Sequence, residues 1–214
     1  MIRHTKSNKI LIISIINLVI GIMLYTYNAC YNYYLNKLDK DKVNNFIQEN
    51  TYKKNIVSMD KISDNNKSDN NEYEENIIDS YLGVISIPKI NLKQGFYDID
   101  NPLNNIDKNI ELIKGSSMPY VENGSLILAA HSGNDRVSYF KNLYKLKIDD
   151  EIEIIINKSK YLYKLIDIYE VKKTGSIRLH DISNITSLVL VTCSNFNDDL
   201  QVVYISRLIS VSDV

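Results

Sequence analysis

Three residues in the C-terminal half of the chain carry side chains suited to acyl transfer: His131, Cys193 and Arg207. His131 follows the apolar run SLILAA and precedes Ser132-Gly133, so it stands where a strand breaks into a turn and side chains reach surface clefts. Cys193 ends a second apolar run, SLVLVTC, and the polar turn SNFNDD follows it. Arg207 interrupts the apolar and hydroxyl pattern of QVVYISRLISV. An arginine there needs an anionic or carbonyl partner if it faces a cleft; otherwise it snorkels outward to water. A free thiol has a pKa of about 8.5, so a nearby cation is needed to raise the thiolate fraction or to stabilise the oxyanion of acyl transfer. An imidazole can protonate the leaving amine and deprotonate the incoming one. The bland alternative is that Cys193 is a small buried hydrophobe. His4 and His180 lie in a charged tail and a polar loop, where nothing suggests chemistry.

The elements that must hold these residues are short β-rich runs separated by Gly, Pro, Asn and Asp. They begin after Tyr81: YLGVISIPKI, SLILAA, EIEIII, YLYKLIDIYEV, SLVLVTC and QVVYISRLISV. SYFKNLYKL carries apolar residues at helical spacing. This pattern predicts a mostly β barrel over residues 81–214 with one or two short helices. Before it, residues 31–80 are polar and rich in Asn, Asp and Lys, most extremely in DNNKSDNNEYEEN, and read as a linker or loose helix too poor in apolar groups to order itself.

Residues 10–30 contain the uncharged run ILIISIINLVIGIMLYTY, close to the roughly 20 residues needed to cross a bilayer. Arg3, Lys6 and Lys9 precede it within the tail formed by residues 1–9, which predicts a cytoplasmic N-terminus and an extracytoplasmic domain. The exit TYNACYNYY lacks a small-x-small cleavage pattern, and its tyrosines suit a membrane interface, so an uncleaved anchor is favoured over a signal peptide. Ala29-Cys30 is a poor lipoprotein site because Tyr27 and Asn28 stand where small or apolar residues are needed. With Cys30 there and Cys193 far away, no disulfide framework is available. Formal net charge is -1, with 25 basic and 26 acidic residues interspersed, which argues against nucleic acid as a partner. The 16 tyrosines and the abundant Asn point to no particular function.

The chain resembles the sortase family over roughly residues 81–211. GVISIPKI is similar to the opening sortase strand, LAAHSG to the strand and turn bearing the catalytic His, and YFKNLYKLKIDDEI to a short helix leading into a strand. LVLVTC resembles the nucleophile segment, and Arg207, 14 residues on, is taken as the match to the catalytic Arg. The resemblance implies a sortase-like β-barrel behind a membrane anchor. It implies Cys193 as nucleophile, His131 as acid and base, Arg207 as stabiliser of substrate and oxyanion, and Thr192 as a residue touching substrate. It further implies an LPxTG-like sorting signal on a surface protein, a Cys thioester, and an amine acceptor such as a peptidoglycan precursor, with no cofactor. The Ala-Ala before His131 departs from the commonest pattern, as does the lack of an Asp-Pro-aromatic lid or second span, which disfavours the pilus-polymerising type. Asp149-Asp150-Glu151 and Asp198-Asp199 read as solvated turns and not calcium ligands, so no metal is expected.

Three other readings compete. An L,D-transpeptidase would carry Arg nearly adjacent to Cys, which this chain does not. A membrane-anchored cysteine peptidase would resolve the same thioester with water. A non-catalytic β-barrel binding module would use Cys193 only as filler.

Overall fold

The computed structural model describes residues 3–56, 80–175, 182 and 184–214. His180, the DNNKSDNNEYEEN stretch and most of the loop before Thr186 lie outside the described residues. The chain divides into two units, residues 1–39 and residues 40–214. One helix, α1 (Arg3–Ile56), runs through the first unit and into the second.

Within the first unit the apolar side chains of α1 are exposed, among them Leu18, Met23 and Leu24. The helix is long and apolar enough to cross a membrane, with a mean hydropathy of 1.8 over its most apolar window. In the second unit, the part of α1 expected to belong to a polar linker is helical as far as Ile56, and Val43 is only 2% exposed. Val43 packs with Phe46 and Ile47 against Tyr81, Val84, Tyr97 and Ile155, so this end of the helix belongs to the globular core. Tyr81 lies flat over Gly95, where a Cβ would come within 2.4 Å of its ring. Its centroid is 4.8 Å from that of Tyr97, a spacing typical of favourable aromatic pairs.

Eight strands form the rest: β1 (Gly83–Ile87), β2 (Leu92–Phe96), β3 (Glu111–Leu112), β4 (Ser125–Ala129), β5 (Glu151–Ile156), β6 (Ser159–Lys172), β7 (Ser187–Cys193) and β8 (Leu200–Asp213). Their order is β2-β1-β5-β6-β8-β7-β4-β3. A parallel bridge between Phe96 at the end of β2 and Ile110 just before β3 brings the two edges together, giving a nearly closed barrel. Asn157 and Lys158, both with positive φ, join β5 to β6 as a two-residue hairpin turn whose twist matches the strands. Of the one or two short helices expected, the one in SYFKNLYKL is a single 3-10 turn at Leu143–Lys145, and a second 3-10 turn, Pro88–Ile90, ends the run YLGVISIPKI that reads as a strand.

The barrel buries side chains on two levels. Alternate residues, including Leu126, Leu128, Leu188, Leu190 and Tyr204, point inward with Phe96, Phe140 and Tyr163. The opposite face of β4, β7 and β8 is also apolar, with Ala129, Val189, Val191, Val203 and Ile205 covered in part by Ile106 and Ile113. Burial on both faces explains why SLVLVTC reads as a continuous apolar run and not an alternating one.

The segment between β2 and β3 is held by asparagine side chains. Asn104 accepts from the backbone N–H of Leu112 at 2.7 Å and donates to its carbonyl at 3.0 Å, imitating a strand partner. Asn101 and Asn105 each accept from the N–H two residues on, and buried Asn109 accepts from Gln94 at 3.1 Å. The Asn abundance therefore has a structural use here, because these short amides satisfy backbone groups that no ladder reaches.

Candidate active site

β4 and β7 are parallel neighbours, with Ala129 opposite Val191. Two residues further along stand Cys193, the last residue of β7, and His131, in the turn after β4, both at the same end of the sheet. β7 and β8 are antiparallel, and Cys193 lies directly opposite Gln201. Because side chains alternate along a strand, Cys193 and Gln201 continue the face that carries Val191 and Val203. Cys193 and Gln201 thus stand side by side in one row across β7 and β8, and His131 lines a cleft together with Cys193.

Two large clefts meet at Cys193, beside a smaller one of about 200 Å³. One, of about 450 Å³, is walled mainly by apolar groups: Ile106, Ile113, Ile127, Ala129 and Val191, and it ends at Cys193 and Gln201. The other, of about 550 Å³, is polar and contains His131, Ser132, Asn134, Asn142, Asn195 and Asp198. Lys173 lies on both, its ammonium donating to the Asp198 carbonyl at 2.5 Å. An extended peptide can enter along the apolar side, and a polar group can approach from the other.

His131 is not alone. Its Nε2 lies 3.1 Å from Asp107 Oδ1, and the carboxylate is held in a turn where the Asp107 N–H donates to Asn105. If Nε2 carries the proton toward Asp107, Nδ1 is the free base, the nucleophile, base and orienting-group pattern of covalent catalysis. The His131 side chain is 37% exposed and that of Asp107 is 80% exposed, so water screens their attraction and Asp107 acts chiefly on ring orientation. Sequence reasoning missed Asp107, since an Asp in an Asn-rich turn carries no signal until the loop is folded against β4.

Thr192 is buried on the opposite face from Cys193, and its hydroxyl donates to the Ala130 carbonyl at 2.7 Å. This bond ties the residue before the nucleophile to the residue before His131. Although Thr192 borders the apolar cleft, its hydroxyl is engaged within the protein. Behind the nucleophile loop, the Ser194 hydroxyl donates to Glu170 at 2.8 Å. Burial first, and the Glu170 charge second, push the pKa of Tyr204 up to about 12.

The structure does not bring Arg207 to this row. Arg207 lies opposite Ser187 at the far end of β7, six residues along β8 from Gln201, a separation of about 20 Å. It is exposed, and an arginine side chain cannot span that gap. Counting residues after Cys193 found an arginine in the right strand, but only the hairpin register reveals that Gln201 faces the thiol.

A sortase-domain family model matches residues 85–213. Among solved structures, sortase C-3 from Streptococcus pneumoniae superposes with a TM-score of 0.57 at 16% identity, covering 83% of this chain and 86% of that one. A Clostridium perfringens sortase D5 transpeptidase gives 0.54 at 20% identity, covering 81% and 99%. Listeria monocytogenes sortase A gives 0.54 at 18% identity, covering 64% and 92%. A search of curated proteins finds no match.

Proposed function

Because this chain belongs to the sortase family, whose members are cysteine transpeptidases, we propose that it cleaves a sorting signal of the LPxTG kind and passes the acyl group to an amine. What supports this reading is that His131 and Cys193, just after β4 and at the end of its parallel neighbour β7, line one polar cleft that meets an apolar one at Cys193. Cys193 attacks the carbonyl of the scissile bond, forming the C–S bond while the carbonyl electron pair moves to oxygen. As the carbonyl reforms, the leaving amine departs with a proton from His131. The incoming amine returns that proton and releases Cys193. Thr192 acts by fixing the spacing of the two strand ends. We assign Arg207 no part in the reaction, because it lies six residues along β8 from the residue opposite Cys193.

The apolar cleft suits the residues before the scissile bond, and the polar cleft suits the acceptor, such as a peptidoglycan precursor. The apolar part of α1 is the anchor, with the N-terminus in the cytoplasm and the barrel outside, as Arg3, Lys6 and Lys9 favour.

Product analysis with the full-length chain in detergent tests the reaction type. With a cleavable peptide and a range of amines, the account expects amide products at the expense of free acid. Free acid alone with every amine would replace transpeptidation with peptidase activity. Loss of both products in Cys193→Ala is expected in either case.

A further inference from the structure

Acyl transfer at Cys193 puts negative charge on the carbonyl oxygen, which calls for a hydrogen-bond donor beside the thiol. The backbone N–H of Ser194, directly after the nucleophile, donates to the Leu200 carbonyl at 2.9 Å. The Thr192 hydroxyl is committed to Ala130, and the Asn195 amide donates to the Lys141 carbonyl at 3.4 Å. His131 is the proton carrier and already has Asp107 at its Nε2. Lys173, one residue beyond β6, is bound to the Asp198 carbonyl.

Gln201 differs from all of these. It is the direct cross-strand partner of Cys193, on the same face and bordering the same apolar cleft. Directly opposed residues place their Cβ atoms about 5 Å apart, within reach of a glutamine amide for an atom bonded to the sulfur. Among the described residues its side-chain amide has no hydrogen-bond partner, though the residue is half-buried. An amide that is partly desolvated and unpaired at the edge of a cleft is a donor waiting for an acceptor.

We propose that Gln201 is the oxyanion donor of this site, its amide N–H₂ binding the carbonyl oxygen of the acyl group as Cys193 attacks. This rests on the acyl-transfer reading of Cys193, but not on the identity of the peptide. A neutral donor on β8 has a consequence: the strand beside the nucleophile lends the oxyanion a hydrogen bond without a full positive charge. The preorganised dipole is the source of stabilisation here, as with the amide side chains of other oxyanion holes.

Two reagents separate this role from a structural one. Iodoacetamide alkylates a thiolate by displacement at carbon and forms no oxyanion. p-Nitrophenyl acetate acylates it through a tetrahedral oxyanion, forming the thioester C–S bond and expelling p-nitrophenolate. Both rates would be measured on the full-length chain in detergent, with Cys30→Ser to leave one thiol, for wild type, Gln201→Met, Gln201→Arg and Arg207→Ala. Gln201→Met keeps the side-chain length and removes the donor. It is expected to lower acylation by about 10- to 100-fold and alkylation by less than about twofold. Gln201→Arg, which restores a donor, is expected to recover most of the acylation rate, and Arg207→Ala is expected to change neither.

The proposal fails if Gln201→Met leaves acylation unchanged or lowers both rates by one factor. A selective loss of acylation in Arg207→Ala would overturn it too, as would a wild-type ratio of acylation to alkylation no higher than that of N-acetylcysteine. The ester needs no sorting signal. A wild type that the ester acylates and no peptide does would therefore sink the substrate assignment and leave this one standing.

Discussion

An imidazole and a thiol line one cleft here because Ala129 and Val191 pair in register and His131 and Cys193 each follow two residues later. That coincidence is maintained by the Thr192 hydroxyl on the Ala130 carbonyl, a bond shielded from water. Thr192→Val should therefore leave the carbonyl unpaired, lower stability by about 1–3 kcal/mol and slow the reaction, as thermal unfolding and acylation rates would reveal. Asp107→Asn keeps the shape of the turn but removes the charge facing His131. Given the exposure of the pair, a loss in kcat of no more than about tenfold is expected, with KM little changed. Tyr163 offers a contrast: its hydroxyl is buried with no partner among the described residues, and burial pushes its pKa up. Tyr163→Phe should leave the melting temperature unchanged or raise it, since no hydrogen bond is lost. At this scale the sequence exposed His131 and Cys193, because each ends an apolar run at a polar turn. Gln201 and Asp107 stayed hidden, because a polar residue in a strand or an Asn-rich loop gains meaning only from what it faces.

The elements show the same division. β1 and β4 to β8 were legible as β-rich runs bounded by turn residues. β2, LKQGF, and the two-residue β3 were not, since their pairing depends on Gly95 lying beneath Tyr81 and on Asn104 standing in for a strand. The helical spacing of SYFKNLYKL yields only a 3-10 turn, because Phe140 and Leu143 enter the barrel core and the chain must turn quickly into β5. The far end of α1 is the larger surprise. Its polar composition reads as a tether, yet Val43, Phe46 and Ile47 bury against Tyr81 and Tyr97. Val43→Ala should cost about 1–2 kcal/mol, read from the thermal transition of the full-length chain by near-ultraviolet dichroism of its tyrosines. An unchanged transition would remove the helix from the barrel core.

For the molecule as a whole, stability should be level across neutral pH and fall at both extremes. Burial alone would raise the pKa of Asp150, but the hydrogen bond from Lys89, the Lys147 N–H and the charges of both lysines outweigh it and hold it below the usual carboxylate value. A lowered pKa contributes stability above the unfolded value of about 3.9, lost as pH falls through the folded one. Tyr204, raised to about 12, has the opposite sign: its contribution is complete below the unfolded value of about 10 and lost as pH rises toward 12. Lys89→Met should remove part of the acid-side dependence and leave the alkaline side unaltered, a comparison made by melting temperatures across the pH range.

Intact mass of the full-length chain reads the acyl group on Cys193 itself. The protein would be incubated with a library of sorting-signal peptides beside Cys193→Ala and Gln201→Met. An adduct retaining the peptide up to its scissile carbonyl is expected, absent in Cys193→Ala and slow to form in Gln201→Met. A Cys193 that alkylates readily yet gains no peptide mass from any signal, or an adduct that persists in Cys193→Ala, would contradict acyl transfer at Cys193.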